Sequence, residues 1–279
     1  MCIKTESKSF GNRSLHPIDF AYKKSLQKGL LDSYGIKCKI EDLKSVAGPI
    51  ELRNIIKNLK PFHYKISENF RANFHIHTTA SDGNLTPITF LEQCRDWANT
   101  IHKMGKDKED ELPAFSASIT DHDRVKSVKQ TIALISQHPD DYKNFKFVSG
   151  CEFMLRGYKE PYPAFEAVGL GFNPFDKKLE PLMKGFESKN TISDVPKILA
   201  SGGILSWAHP IVTPDKINDD FFTFLKANGI DGVEGNYQYC RWDEEYVNKG
   251  KALLAPFIEK YKMFCTGGTD SHSRTIFDV

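Results

Sequence analysis

From Ala72 onward, the sequence alternates between short runs rich in β-branched and aromatic residues and longer amphipathic stretches. This alternation is typical of repeated βα units, which form a parallel sheet covered by helices. Seven runs are strand candidates: 71–77, 115–120, 145–150, 164–170, 203–208, 230–235 and 262–267. The helix candidates among them are 87–103, 124–137, 193–201, 215–228 and 243–260. Seven strands are enough to close a barrel, so the pattern predicts an α/β barrel.

The segment before residue 71 has a different pattern. It contains two helix candidates, 17–33 and 49–60, and residues 1–71 carry 14 Lys or Arg against 7 Asp or Glu, whereas the remainder carries 24 against 29. We therefore expect two parts, a basic and mainly helical segment over residues 1–70 and the barrel over residues 71–279. The excess of acid in the barrel suits a cation-binding protein, although a solvated acidic surface gives the same count.

The composition is that of an ordinary globular protein, with 40% hydrophobic and 27% charged residues. The first residues lack the apolar stretch of a signal peptide, and no run of about 18 apolar residues could span a bilayer. We therefore expect a cytoplasmic protein that does not bind a membrane. The six cysteines lie far apart without a CxxC pair, which favours reduced thiols over disulfides or a thiolate metal site.

Most of the predicted strands end in side chains that can bind a metal ion. In barrels of this kind the carboxyl ends of the strands meet at one mouth, where such side chains gather. His75 and His77 belong to the first strand, and its period of two points both imidazoles the same way. The later strand ends supply, in chain order, Asp121, His122 and Asp123, then Glu152, then His209, and finally Asp270 and His272.

Each of these side chains alone has an ordinary structural explanation, because a strand-end Asp or His often caps the following helix. Together they do not, since carboxylates gathered at one barrel mouth would repel one another unless cations held them. Ligands of this kind, imidazole and carboxylate without thiolate, suit Mn²⁺, Fe²⁺ or Zn²⁺ best, and Mg²⁺ is also acceptable. The sequence therefore predicts a site for at least two divalent metal ions.

The segments HIHTTASDG, SITDHD, GCE, AHP and GGTDSH occur in this order between residues 72 and 272. As an ordered set they resemble the motifs of the polymerase and histidinol phosphatase (PHP) domain family, especially its small stand-alone phosphoesterases. The resemblance implies a distorted (β/α)7 barrel with two or three metal ions at its mouth. Residues 1–70 take no part in it and would form a small helical appendage.

The resemblance also implies how the ligands are divided among the ions. Three sets follow from the motifs: His75, His77, Glu152 and Asp270 for one ion, Glu152 and His209 for a second, and Asp82, His122 and His272 for a third. Relatives usually supply a histidine to the second ion from the fourth strand, where this chain has Glu166. We expect the Glu166 carboxylate to replace it as a ligand. The alternative is that Glu166 faces outward, one residue out of register.

These features together indicate hydrolysis of a phosphoester. Clustered divalent ions lower the pKa of a bound water and neutralise phosphoryl oxygens, so the hypothesis is in-line attack by a metal-activated water. Asp121 or His209 would assist the leaving group. Arg124, Arg156 and Arg274 are candidates for substrate contacts, because a guanidinium binds phosphate in a bidentate manner. Arginines at helix starts are, however, common on ordinary surfaces.

Asp82, in its Ser-Asp-Gly triplet, is similar to the nucleotide and general phosphoesterase branch of the family rather than to histidinol phosphatases. The resemblance therefore favours a nucleotide, a nucleoside bisphosphate or the 5′ end of an oligonucleotide as the substrate. The alternative is a non-catalytic scaffold that keeps the barrel and binds nucleic acid or a partner protein through its basic N-terminal segment. Loss of several ligands would mark such a scaffold, and nearly all ligand positions here hold plausible ligands.

Overall fold

The computed structural model describes residues 15–59, 70–105, 112–157, 164–236 and 243–277. Within these ranges the strands form a single curled sheet whose spatial order follows the chain. The strands β1 to β7 are Ala72–Asn73, Phe115–Ile119, Phe145–Arg156, Ala164–Leu170, Ile204–Trp207, Gly232–Val233 and Phe264–Cys265. Every strand coincides with one of the predicted runs, although β1, β6 and β7 are shorter and β3 is longer than expected.

Helices cover the sheet at the positions that the sequence indicates. The helices α1 to α7 are Pro17–Tyr34, Pro49–Asn58, Pro87–Lys103, Lys126–Gln137, Val195–Ala200, Asp219–Ala227 and Glu244–Tyr261. Thr86 starts α3 by accepting the Thr89 N–H, with Pro87 in the first turn. Prediction placed the start of α6 at residue 215, but the helix begins four residues later because Asn218 caps it. Over the described ranges, no helix is long and apolar enough to cross a membrane.

The direction of β4 differs from the prediction of a parallel sheet. β1, β2 and β3 are mutually parallel, as are β5, β6 and β7, but β4 runs antiparallel to both of its neighbours. Only residues 157–163 separate β3 from β4, which is too short for the crossover that a parallel connection requires. The two strands therefore form a hairpin, and pairing with β4 extends β3 past Gly150 to Arg156.

The sheet is curled like a half-barrel rather than closed. β1 and β7 are its two edges, and no strand ladder joins them within the described residues. The chain just beyond these two strands is nevertheless connected, because the Phe74 N–H donates to the Gly267 carbonyl and the His77 N–H donates to the Ser271 carbonyl. These bonds bring the loop after β7 against the end of β1. The predicted barrel is thus confirmed only as a distorted, open α/β arrangement.

The two N-terminal helices pack against the sheet. Leu26 and Leu30 of α1 are fully buried in the same hydrophobic cluster as the strand residues. The Tyr22 hydroxyl lies 3.0 Å from the Ser149 hydroxyl of β3. Asp19 joins α1 to α2, since its carboxylate accepts the Ile50 N–H at 2.8 Å. α1 and α2 therefore contribute to the core that supports β3.

Candidate metal centre

The segment just after β1 carries two buried imidazoles. His75 and His77 are fully buried, and their Nε2 atoms lie 3.1 Å apart, as the strand alternation predicts. The backbone bond from His77 to Ser271 holds the loop after β7 beside them. Asp270 lies in that loop, so its carboxylate faces both rings.

Four atoms from three parts of the sheet surround one point. Oε2 of Glu152 lies 3.2 Å from Nε2 of His75 and 3.3 Å from Nε2 of His77. Oδ1 of Asp270 lies 3.2 Å from Nε2 of His75 and 3.0 Å from Nε2 of His77. A regular tetrahedron with edges of this length has its centre about 2 Å from each corner, which matches metal–nitrogen and metal–oxygen bond lengths for zinc.

The hydrogen bonding of these carboxylates tests whether a metal fits. Among the described residues, Oε2 of Glu152 and Oδ1 of Asp270 are buried side-chain atoms that accept no hydrogen bond of normal geometry, although imidazole nitrogens lie 3.0–3.3 Å away. A buried carboxylate oxygen without a partner costs free energy, so native proteins rarely retain one. Both oxygens face the shared point between His75 and His77. The donor set therefore fits a divalent cation.

A second group of ligand atoms lies towards the surface. Oδ2 of Asp82 is 3.5 Å from Nε2 of His122 and 3.3 Å from Nε2 of His272. Nδ1 of His272 lies 2.8 Å from the Asp270 carbonyl, and donation of that N–H would leave Nε2 free to bind an ion. His77 belongs to this group as well, because its Nδ1 faces Asp82. The two groups thus share one imidazole.

A third group surrounds the other side of Glu152. Nε2 of His209 lies 2.9 Å from Oε1 of Glu152 and 3.3 Å from Oε2 of Glu166. His122 faces the same group, with Nδ1 3.2 Å from Oε2 of Glu152. Glu166 therefore faces the centre, and its side chain is about one-quarter exposed. The structure brings together all nine side chains proposed as metal ligands from the sequence: His75, His77, Asp82, His122, Glu152, Glu166, His209, Asp270 and His272.

The backbone is strained at two of these positions. His209 has a φ of 32° and Asp270 has a φ of 50°, which is a backbone region that residues other than glycine rarely adopt. Such strain persists only where the surroundings impose it, and it is concentrated at functional sites. Both residues turn their side chains towards Glu152 or the β1 imidazoles from the loops that follow β5 and β7.

Sequence reasoning missed Glu234, a buried carboxylate behind the centre. Its oxygens lie 3.0 and 3.2 Å from Nδ1 of His75, and one of them accepts the His209 N–H at 2.7 Å. A carboxylate in this position fixes the imidazole tautomer that leaves Nε2 free for a metal. Glu234 directly follows β6, the same strand-end position that identified the other residues, and that position was the available signal.

Asp121 lies behind the centre as well, with both oxygens already bonded. Oδ1 accepts the Thr78 N–H at 2.7 Å and the Ser81 hydroxyl at 2.9 Å, and the Thr78 hydroxyl lies 2.8 Å from Oδ2. Asp121 is fully buried. It therefore ties the loop after β1 to the end of β2.

The three arginines proposed for substrate binding lie at different places. Arg124 follows His122 by two residues, and its Nη1 donates to the Ala80 carbonyl at 2.8 Å. Arg156 lies four residues beyond Glu152 on β3, about 13 Å along the strand, and donates to the Ser188 carbonyl. Arg274 is exposed in the loop after His272. Of these three arginines, Arg124 is the one whose guanidinium lies against the loop that leads to Asp82.

The carboxylates and imidazoles shift each other's pKa values. Burial opposes the charged form of His77, yet Asp270 and Glu152 raise its pKa to about 9. Burial likewise opposes protonation of His209, and Glu152 raises its pKa to about 9. Burial alone would raise the pKa of Glu152, but His75 and the neighbouring imidazoles hold it well below its usual range. In the metal-free protein, imidazolium ions therefore neutralise the carboxylates.

The sequence matches no family model and no curated protein. Among solved structures, the chain is similar to the crystal structure of a Bifidobacterium adolescentis protein that is provisionally named a metal-dependent phosphoesterase. The TM-score is 0.50 and the sequence identity is 15%, over 76% of this chain and 89% of that one. At this identity the likeness shows a shared α/β fold.

The pKa values of His77 and His209 predict that metal binding releases protons. A metal binds neutral imidazole, so at pH 7 we expect about two or more protons to leave when Zn²⁺ or Mn²⁺ binds. The release should disappear as the pH rises through about 9. In the metal-free protein, the stabilising free energy from these raised pKa values is complete below about pH 6.5 and is lost as the pH rises through about 9. Calorimetry in buffers of different ionisation enthalpy measures the release, and a proton count near zero at pH 7 would contradict this assignment.

Glu234→Gln should weaken metal binding while preserving side-chain size. We expect the affinity for Zn²⁺ to fall about tenfold or more, because carboxylates behind metal-binding imidazoles commonly contribute 10–100-fold. Competition with a chromophoric chelator measures the affinity. Glu245→Gln is the matched control, since Glu245 is exposed on α7 and paired with Lys249. Equal affinities for Glu234→Gln, the control and the unmodified protein would show that Glu234 does not support the centre.

Proposed function

We propose that this protein is a metal-dependent phosphoesterase of the PHP family. The observation that carries the proposal is the continuous group of imidazole and carboxylate ligand atoms around Glu152. The ordered motifs of the sequence support the family. The fold shared with the Bifidobacterium adolescentis protein, provisionally named a metal-dependent phosphoesterase, supports the same reaction class.

The grouping of the ligand atoms supports two or three bound ions. The most buried group, His75, His77, Glu152 and Asp270, would hold one ion. A second ion would bind the group formed by Glu152, Glu166 and His209. The group nearest the surface, Asp82, His122 and His272, would hold a third. Imidazole and carboxylate ligands favour Mn²⁺, Fe²⁺ or Zn²⁺ over Mg²⁺.

Glu166 supports the second position in particular. Oε2 of Glu166 and Oε1 of Glu152 both face Nε2 of His209. Three side chains therefore converge at this position, whereas Glu152 and His209 alone would be too few ligands to hold an ion. A second carboxylate adds a negative charge that offsets the positive charge of clustered ions. Because Nε2 of His209 faces both of these carboxylates, we propose that His209 is a metal ligand and not the acid that assists the leaving group.

Divalent ions bound here would act as Lewis acids: they would neutralise the phosphoryl oxygens and lower the pKa of a bound water molecule. The chain holds the ligands for this chemistry in fixed orientations. Glu234 orients His75 through Nδ1, and Asp121 orients the loop that follows His77. We therefore propose Asp121 as a positioning residue in place of the catalytic role predicted from the sequence. Arg124 remains the best candidate for a phosphate contact, because its guanidinium is already held beside the Asp82 loop.

An exposed aromatic ring at the mouth supports a nucleotide substrate. Phe186 is 67% exposed, and its ring centroid lies 5.6 Å from that of His122. Single exposed apolar side chains are common on protein surfaces, so the relevant feature is the position of this ring against His122, one of the proposed ligands. Bases stack on aromatic side chains with about 1–3 kcal/mol per base. We propose that the base of a nucleotide or of an oligonucleotide 5′ end stacks on Phe186.

Activity should depend on the metal and on the buried ligands. We expect the protein purified with Mn²⁺ to hydrolyse nucleoside phosphates, and His77→Ala or Asp270→Ala to reduce kcat/KM by at least about a thousandfold because a central ion is lost. Circular dichroism should show that the fold is kept. His138→Ala is the matched control, since His138 is exposed at the end of α4.

Full activity after prolonged dialysis against a strong chelator would contradict the metal mechanism. Stoichiometric metal binding without hydrolysis of nucleotides, short RNAs or glycerol phosphate would instead support the non-catalytic scaffold. Glycerol phosphate has no base, so a preference for nucleotides over it tests the role of Phe186 in the same assay.

A further inference from the structure

Two of the proposed metal ligands, Asp270 and His272, lie in one irregular loop, residues 267–276, which we call the ligand loop. Asp270 belongs to the most buried group of ligand atoms, and His272 belongs to the group nearest the surface. The loop contains no part of a helix or of a strand ladder. Its backbone is strained at Asp270, where φ is 50°. Because such strain persists only where the surroundings impose it, other residues must hold this loop in place.

Asn73, the last residue of β1, holds both ends of the ligand loop. Its Oδ1 accepts the Thr269 N–H at 3.1 Å, and its Nδ2 donates to Oγ1 of Thr269 at 2.9 Å. Nδ2 also donates to the Ile276 carbonyl at 2.7 Å. Asn73 and Thr269 are fully buried. One side chain therefore fixes the residue before Asp270 and the last residue of the loop.

Two further side-chain amides hold the rest of the ligand loop. Oε1 of Gln93, on α3, accepts the Ile276 N–H at 2.9 Å, and its Nε2 donates to the Arg274 carbonyl at 2.8 Å. Asn84 lies just before α3, and its Nδ2 donates to the His272 carbonyl at 2.7 Å. These bonds fix the backbone of His272 and the C-terminal part of the loop.

The three side chains share one chemistry, and we call them the amide clamp: Asn73, Asn84 and Gln93. A carboxamide carries both donors and an acceptor, so it can bind backbone N–H and C=O groups without adding charge. A carboxylate in the same place could not donate to the backbone carbonyls. It would also add a negative charge that must be balanced in a centre that already holds several buried carboxylates.

The ligand loop must be placed accurately against the segment after β1. A Cβ added at Gly268 would lie 2.6 Å from the backbone nitrogen of His75, so glycine permits this close approach. It brings Oδ1 of Asp270 to 3.2 Å from Nε2 of His75. Since a metal–oxygen bond is only about 2.0–2.2 Å long, a displacement of the loop by about 1 Å would remove this oxygen from the ion.

We propose that the amide clamp is a set of positioning residues that hold Asp270 and His272 in their metal-binding conformation before any metal binds. The proposal rests on the metal centre of the proposed function and is independent of the substrate. Asn73 and Gln93 act through Asp270, and Asn84 acts through His272. Hydrogen-bond partners behind metal ligands commonly contribute 10–100-fold to metal affinity.

Removal of single clamp contacts tests the proposal. Electron paramagnetic resonance of free Mn²⁺ counts the ions that the full chain binds and gives the affinity of each step. We expect Asn84→Ala to weaken the last, weakest step about tenfold and to leave the tighter steps unchanged. Asn73→Leu should weaken a tighter step by at least about tenfold. Asn58→Ala is the matched control, because Asn58 is exposed on α2 and likewise donates to a backbone carbonyl, that of Asn54, at 2.8 Å.

Hydrogen–deuterium exchange of the metal-free proteins measures the order of the ligand loop directly. Its backbone amides should exchange faster in Asn73→Leu and Asn84→Ala than in the control, whereas the amides of α1 should exchange equally in all of them. A general loss of stability would instead speed exchange in α1 as well. Asn84 is exposed, so Asn84→Ala decides the test even if Asn73→Leu does not fold.

The outcomes separate the clamp from the phosphoesterase reaction. Weaker Mn²⁺ binding together with faster exchange of the ligand loop supports the clamp, even if the protein hydrolyses no phosphoester. Equal Mn²⁺ affinities and equal exchange in Asn84→Ala and the control would overturn the clamp, and hydrolysis by the same proteins would leave the phosphoesterase intact. Either change without the other would overturn the clamp as well, because loop order and metal affinity would then be unrelated.

Discussion

The Glu152 carboxylate is buried among four imidazole rings, and the candidate centre is arranged around this one charge. Oε1 lies 2.9 Å from His209, and Oε2 lies 3.2–3.3 Å from nitrogens of His75, His77 and His122. Burial of a carboxylate is costly unless a cation or several hydrogen bonds balance its charge, and the groups that face Glu152 here are imidazole nitrogens. Without metal, protonated imidazoles supply the cation. With metal, the ions would supply it and the imidazoles would become neutral ligands.

The antiparallel direction of β4 brings a second carboxylate, that of Glu166, close to Glu152. In the β3–β4 hairpin, Glu152 pairs with Val168 and Glu166 pairs with Met154. Because side chains alternate with period two, the two carboxylates lie on the same face of neighbouring strands. In a parallel β4, Glu166 would lie near the start of the strand, at the end of the sheet opposite the site. The hairpin therefore accounts for the position of Glu166.

The sequence predicted elements whose signals are local. The Thr86-Pro87 cap located α3, and the alternation of His75 and His77 in one strand placed both rings together. Chain direction in β4 depends on pairing with other strands, so a run of apolar residues could not reveal it. Glu234 escaped notice because a lone carboxylate after a short strand looks like an ordinary surface residue. The hydrogen bonds that occupy Asp121 depend on a loop 40 residues away and are equally invisible in sequence.

The central claim is that metal ions share Glu152, and anomalous X-ray diffraction tests it most directly. Crystals grown with Mn²⁺ and measured on both sides of the manganese absorption edge locate each ion independently of the protein coordinates. We predict at least two anomalous peaks within about 2.5 Å of carboxylate oxygens in the centre, with Glu152 contacting two of them. Crystals that contain manganese by elemental analysis but show no anomalous peak near Glu152 would contradict the account.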